Sequence, residues 1–138
     1  MGRIMALDVG DRRVGVAISD PLGMIAQGLT TVMRSRKPGK DIQDFEALVE
    51  EHEVEKIVVG WPLESSGRVG GQARKVEKFV ELLKARIDLP FEFWDERMTT
   101  AQAERILLEA DTSRAKRKQL IDKVAATVIL QSWLDAQP

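Results

Sequence analysis

Cysteine and tyrosine are absent from this chain of 138 residues, and histidine occurs only once. Without cysteine the chain can form no disulfide, no thiolate nucleophile and no zinc–cysteine site. The single histidine, His52, has no partner residues that would make up a triad, which is more typical of a surface residue than of a catalyst. We therefore assign it no role.

A strong net charge and long apolar runs are also lacking. Neither a secretory signal nor a long apolar segment precedes the first predicted strand, which predicts a cytoplasmic protein without a membrane partner. The formal net charge is −1, so a polyanion could bind only at a local basic patch. The length and the 43% hydrophobic content predict one domain over residues 1–138.

The stretch from Leu7 to Asp20 places one carboxylate at the end of an apolar strand. Ile4, Ala6 and Asp8 share a face because side chains alternate along a strand, and the turn residues that follow predict a hairpin. One face of the returning strand carries only small residues, namely Gly15, Ala17 and Ser19. These would let a helix or another backbone segment approach closely beside Asp8. Asp8 is either a site residue at the rim of the sheet or a residue that ends the strand and hydrogen-bonds the turn.

The remainder of the chain alternates between strand and helix patterns. The patterns predict a strand over Ile25–Met33, a helix capped by Asp41, a buried parallel strand over Lys56–Gly60, a helix over Gln72–Ile87, a strand over Phe91–Trp94, and two final helices of which the first spans 101–109. A glycine-rich loop over 61–71 follows the parallel strand. It could contact phosphate through backbone N–H groups or be a mobile surface loop.

Asp95, Glu96 and Arg97 form a second group of charged residues, at the end of the last predicted strand. They could be a solvated pair and a helix cap. We favour the interpretation that this group belongs to a functional site, because α/β sheets carry their chemistry at the carboxyl ends of parallel strands, where Asp8 also lies. Asp95 should point away from Glu96 if the strand continues, and is interpreted as structural.

Asp122 is an acid on the apolar face of the last predicted helix. A step of about 100° per residue brings it close in angle to Ala125, Ile129 and Trp133. Because a buried carboxylate is costly without a partner, Asp122 should meet a metal, a hydrogen-bond network or a cation. The cation could be Lys118 or an arginine from the sheet. A basic run precedes this helix, comprising Arg114, Lys116, Arg117 and Lys118.

Several short motifs, in this order and spacing, resemble the YqgF/RuvX family of the RNase H-like superfamily over nearly the whole chain. They are Leu7–Gly10, Arg12–Ala17, Ser19–Gly23, Val58–Gly60 with Pro62–Leu63, Asp95–Thr100, and Ile121–Asp122 with Ala125–Ala126 and Ile129–Gln131. The chain departs from the family pattern at Val9, at Trp61 and in the loop Glu64–Gly67. The resemblance implies an α/β RNase H-like fold with a five-stranded mixed sheet, made of a three-strand antiparallel meander and two parallel strands, flanked by helices.

The resemblance also implies that Asp8, Glu96 and Asp122 form the acidic catalytic site, with Glu64 in reserve. Three converging carboxylates repel one another and need bound cations, and oxygen-only ligands favour Mg²⁺ or Mn²⁺, here two ions. Such a site would hydrolyse phosphodiester bonds. The expected contacts to the nucleic-acid backbone are Arg12, Arg13, Arg97, Arg114, Lys116, Arg117 and Lys118. With aromatic residues at 5%, recognition should depend on shape and backbone.

The family resemblance leaves two substrates open. One is the 5′ end of pre-16S rRNA in ribosome biogenesis, which a monomer could trim and which we prefer. The other is a four-way DNA junction, which needs a homodimer for two symmetric cuts, as a Holliday junction resolvase makes them.

Two further functions come from other classes. A noncatalytic ribosome-assembly factor that binds nucleic acid would use its acids structurally. An actin-like ATPase would need a second domain that 138 residues cannot supply.

Overall fold

Five strands form one mixed sheet in the order β3-β2-β1-β4-β5. The computed structural model describes residues 2–35, 39–95 and 114–138, and for residues 114–121 it describes the backbone alone. The strands are β1 (Arg3–Val9), β2 (Arg13–Ser19), β3 (Ala26–Met33), β4 (Val54–Trp61) and β5 (Phe91–Asp95). Strands β1, β2 and β3 make an antiparallel meander, and β4 lies parallel to both β1 and β5. The predicted sheet is therefore confirmed.

Three helices are described, and they cover both faces of the sheet. They are α1 (Lys40–Glu51), α2 (Gly71–Lys84) and α3 (Arg114–Asp135). Helices α1 and α2 pack on the face that carries Met5 and Leu7, where the rings of Phe45 and Phe79 meet with centroids 5.8 Å apart. Helix α3 packs on the opposite face, against the side chains of β1 that alternate with these two.

The start of α1 differs from the sequence prediction. The cap residue is Gly39 rather than Asp41, and its φ of 101° lies in the left-handed region that favours glycine. Asp41 lies inside the first turn, where it is buried and its Oδ1 accepts a hydrogen bond from the backbone N–H of Ile42 at 3.1 Å. The prediction was wrong because a glycine at the entrance allowed the helix to begin before the acid.

The second half of α3 is fixed to the sheet by polar contacts as well as by apolar packing. The indole N–H of Trp133 donates to a carboxylate oxygen of Glu92, and the other oxygen of Glu92 lies 3.3 Å from Nζ of Lys56. The indole N–H of Trp94 donates to the hydroxyl of Ser132 at 3.1 Å. These contacts hold α3 against β4 and β5.

In the part of the chain that the structure describes, no helix is both long enough and apolar enough to cross a bilayer.

Candidate active site

Asp8 is the penultimate residue of β1, at the end of the sheet where the parallel strands have their carboxyl ends. Its partner across the hairpin is Gly15, and its side chain shares a face with Ile4 and Ala6, which pack against α3. Burial, and to a lesser degree the negative charge of Asp122, raise the pKa of the Asp8 carboxyl to about 6. Asp8 is therefore a carboxylate held where its negative charge is poorly solvated.

Gly15 allows α3 to approach the sheet directly beside Asp8. A Cβ atom on Gly15 would lie 3.0 Å from the Cα of Asp122 and would overlap its carbonyl group. The neighbouring Ala17 is fully buried against α3. The close approach predicted from the small face of β2 is thus confirmed. It brings Asp8 and Asp122 together, although 114 positions separate them in the sequence.

Arg13 forms an ion pair with Asp122. Its Nε lies 2.7 Å from Oδ2 of Asp122, and the side chains are only 28% and 15% exposed. Among the partners that the sequence left open for Asp122, the structure therefore supplies an arginine from the sheet. Such a partly buried, charge-assisted hydrogen bond orients both side chains.

A cleft of about 340 Å³ opens beside this ion pair. It is lined by Gly10, Asp11, Arg12, Arg13 and Asp122. Arg12 is exposed, as a contact to a polyanionic ligand requires. The cleft thus combines two carboxylates, Asp11 and Asp122, with two arginines at the end of β1.

Arg34 supports the turn between β1 and β2, a role that the sequence analysis missed. Its Nη1 donates to the carbonyl oxygen of Gly10 at 3.0 Å, and its backbone N–H donates to the carbonyl oxygen of Arg12 at 2.8 Å. The guanidinium carbon lies 4.6 Å from the centroid of the Phe79 ring. In the sequence, Arg34 is one of four cations between residues 34 and 40, and no local pattern distinguishes it from the other three.

Several predicted site residues lie outside what the structure describes. Glu96, Arg97 and the predicted helix over 101–109 fall between the described ranges. Arg114, Lys116, Arg117 and Lys118 belong to the first turns of α3, where only the backbone is described. The third acid and the basic run therefore remain predictions.

Asp95 and Glu64 are two acids that the predicted catalytic site of Asp8, Glu96 and Asp122 does not include. Asp95 ends β5 and alternates with Trp94, so it lies on the face away from α3. Its structural role stays a prediction. Glu64 packs against Gly70, at the start of α2.

The described residues fit a divalent cation. Within the described ranges no cluster of three or more acidic, histidine or cysteine side chains has metal-binding spacing, but Glu96 is outside them. Asp8 and Asp122 supply carboxylate oxygens, the ligands that Mg²⁺ and Mn²⁺ prefer. Burial, and secondarily the negative charge of Asp122, raise the pKa of Asp8 because they disfavour its charged form, and a bound cation would offset both effects.

Comparisons with known proteins identify the family of the chain. A family model described as "RuvX: Holliday junction resolvase" matches residues 2–136. A protein of Halothermothrix orenii named "Putative pre-16S rRNA nuclease" is 50% identical over 135 residues, covering 98% of this chain and 96% of the relative. A protein of Clostridioides difficile with the same name is 54% identical over 134 residues, covering 97% and 94%.

Solved structures share the fold at low sequence identity. The complex of T. thermophilus RuvC with a Holliday junction substrate matches with a TM-score of 0.54 at 14% identity, covering 94% of this chain and 92% of that one. The complex of Fowlpox virus resolvase with Holliday junction DNA matches with a TM-score of 0.58 at 9% identity, covering 97% of both chains. At such identities the likeness concerns the fold.

Proposed function

The chain belongs to the RuvX family, and from this premise we propose that it is a metal-dependent nuclease that processes the 5′ end of pre-16S rRNA. The observation that carries the proposal is the pairing of Asp8 with Asp122 at the carboxyl edge of the sheet, beside Arg13. The rRNA substrate is taken from the names of relatives that are at least 50% identical over nearly their whole length.

Asp8, Asp122 and Glu96 would hold Mg²⁺ or Mn²⁺, as two ions. When bound, such ions supply Lewis acidity, which lowers the pKa of the attacking water and neutralises charge on the scissile phosphate. Arg13 holds the Asp122 carboxylate in place through its Nε. Arg12 is exposed at the cleft and contacts the phosphate backbone.

The basic run on the first turns of α3, together with Arg97, extends these phosphate contacts. Such contacts fix the position of the nucleic acid without reading its sequence.

The test is cleavage of two substrates side by side, by wild type and by Asp8→Asn, with Mg²⁺, Mn²⁺ or no added metal. The substrates are a pre-16S rRNA fragment that spans the mature 5′ end and a four-way DNA junction. Asp8→Asn preserves the shape of the side chain and removes its charge. Asp88→Asn is the matched control, because Asp88 is exposed in the segment after α2, remote from the cleft.

We expect metal-dependent cleavage of the rRNA fragment by wild type and by Asp88→Asn. In Asp8→Asn the rate of this cleavage should fall by at least about 100-fold. Binding of the rRNA fragment, with neither substrate cleaved under either metal, would contradict the nuclease and support a noncatalytic assembly factor.

Resolution of DNA junctions is the second candidate. The description of the family model and the junction complexes of the structural neighbours favour it. Because a junction is resolved by two symmetric cuts, this function requires a homodimer, whereas a monomer can trim RNA. Paired nicks in the junction by a species that sedimentation shows to be a dimer, without cleavage of the rRNA fragment, would make this the function.

A further inference from the structure

A group of exposed cations lies on the first eight residues of α2 and on the loop before it. This α2 cationic surface consists of Arg68, Arg74, Lys75 and Lys78, all of which are exposed. From Gly67 to Lys78 the chain carries these four cations and one acid, Glu77, which gives a local charge of +3 in a chain whose formal net charge is −1. The charge of this segment is therefore opposite in sign to that of the whole chain.

The α2 cationic surface is joined to the wall of the candidate active-site cleft. Nζ of Lys75 lies 3.6 Å from Oδ1 of Asp11, one of the residues that line the cleft. Arg34 makes a second connection, because its side chain binds the carbonyl of Gly10 and packs on Phe79 of α2. The turn between β1 and β2 thus connects the cleft on one face of the sheet with α2 on the other.

The described part of the chain offers these cations few counter-charges. Among the residues that the structure describes, no ion pair involves Arg68, Arg74 or Lys78. Arg74 and Lys78 are four positions apart on α2, and like charges at this spacing destabilise a helix. The first turn of α2 contains no acidic residue. An external polyanion would relieve this repulsion.

Helix α1 has the opposite charge on the same face of the sheet. Its exposed side chains include Asp44, Glu50 and Glu51, and it packs beside α2 through Phe45 and Phe79. Lys40, at the start of α1, is also exposed, but the helix as a whole has a net negative charge. A polyanion that leaves the cleft across the β1–β2 turn is therefore attracted more strongly to α2 than to α1.

We propose that the α2 cationic surface is a second contact surface for the sugar–phosphate backbone of the nucleic-acid substrate, entered from the cleft across the β1–β2 turn. This inference rests on the proposed function, because it assigns a path to the strand that the nuclease cleaves. It adds Arg68, Arg74, Lys75 and Lys78 to the predicted contacts. The surface binds the phosphodiester backbone common to RNA and DNA.

The double variant Arg74→Gln/Lys78→Gln tests the surface, because it removes two cations that form no ion pair with any described residue and retains residues that favour helices. The control Arg3→Gln/Lys84→Gln makes the same change in net charge at the opposite edge of the sheet, where β1 begins and α2 ends. Fluorescence anisotropy would measure binding of the labelled rRNA fragment and of the labelled four-way junction, without divalent metal, over a series of salt concentrations. Thermal unfolding would verify that both variants are folded.

Each phosphate contact contributes about 0.7 to 0.9 to the slope of log affinity against log salt, or about 5-fold in affinity at 0.1 M salt. The double variant should therefore bind on the order of 20-fold more weakly at 0.1 M salt and lose about 1.5 from the slope, while the control stays within about twofold of wild type. Of the rRNA fragment and the junction, the one whose affinity falls more in the double variant is the one whose backbone contacts the α2 cationic surface.

Equal affinity and slope in the double variant and the control would overturn the inference. Cleavage by wild type with Mn²⁺, measured in parallel, separates this from failure of the proposed function. If wild type cleaves and the two variants bind alike, the proposed role of the α2 cationic surface is refuted and the proposed nuclease function is supported. Suppose that wild type cleaves neither substrate, while the double variant binds more weakly and with a smaller salt dependence. The proposed role of the α2 cationic surface is then supported and the proposed nuclease function is refuted.

Discussion

Substitution of Gly15 by alanine should displace Asp122 and thereby separate the two carboxylates of the candidate site. A Cβ at this position would overlap the Asp122 carbonyl and lie 3.0 Å from its Cα. Because carbon and oxygen atoms of neighbouring elements approach to about 3.3 Å at closest, α3 would have to move away by more than about 1 Å. Overpacking of this kind costs about 1–3 kcal/mol, partly offset by about 0.5–1 kcal/mol from replacing glycine within a strand.

Gly28 offers a matched control on the adjacent strand. A Cβ there would lie 3.3 Å from Oγ1 of Thr127 and 3.5 Å from Cβ of Lys123. Both atoms belong to side chains of α3, which can adjust by a few tenths of an ångström. Gly28→Ala should therefore leave the free energy of unfolding unchanged or slightly raised.

Urea unfolding, Mn²⁺ titration calorimetry and cleavage would be measured on both variants. Gly15→Ala should unfold more readily, bind Mn²⁺ more weakly and lose about 100-fold in activity, as expected for a misplacement of about 1 Å at a catalytic centre. Wild-type stability and Mn²⁺ affinity in Gly15→Ala would refute the view that this close approach positions Asp122.

Three further predictions concern Asp8 and the contacts that fix α3. Because the pKa of Asp8 rises from 3.8 to about 6 on folding, the folded chain holds a proton there that the unfolded chain releases. In metal-free buffer the wild type should thus lose up to about 3 kcal/mol of stability relative to Asp8→Asn as the pH rises from about 4 to 6, with no further loss above that range. A constant difference in urea unfolding between pH 4 and 8 would contradict this. At about 100 times its dissociation constant, Mn²⁺ should stabilise the wild type by about 2.7 kcal/mol in thermal unfolding and leave Asp8→Asn unaffected; equal shifts in both would show that the ion binds elsewhere. Glu92→Ala removes the acceptor for Trp133 and Lys56 and should cost about 1–2 kcal/mol in urea unfolding, whereas Glu81→Ala, which affects only an exposed pair with Lys84, should cost less than about 0.5 kcal/mol.

The sequence was sufficient to predict features that depend on local pattern. Alternation along β1 placed Asp8 on the face of Ile4 and Ala6, because side chains alternate along a strand. The small residues of β2 predicted a close approach by a helix or another backbone segment for the same reason, and the segment is α3. Family resemblance joined Asp8 and Asp122 in one site, which no local pattern could do.

Contacts between distant segments could not be predicted in the same way. The ion pair between Arg13 and Asp122 joins residues 109 positions apart, and the sequence offers many arginines that could fill this role. The support that Arg34 gives to Gly10 depends on where β3 ends relative to the hairpin. Both contacts arise only once the register of the sheet and the position of α3 are fixed.

The length of α3 makes the geometry of the site depend on contacts far from it. From Asp122 to Trp133 the helix rises by about 16 Å, so a tilt of about 5° about its far end would move Asp122 by about 1.4 Å. At the near end, Arg13 and the close approach at Gly15 oppose such a tilt; at the far end, the hydrogen bond from Trp133 to Glu92 does so. A helix restrained at one end alone could pivot about that end, whereas restraints at both ends fix its angle to the sheet. The contacts around Trp133 therefore help to position Asp122, and their loss should lower activity as well as stability, although none of them touches the cleft.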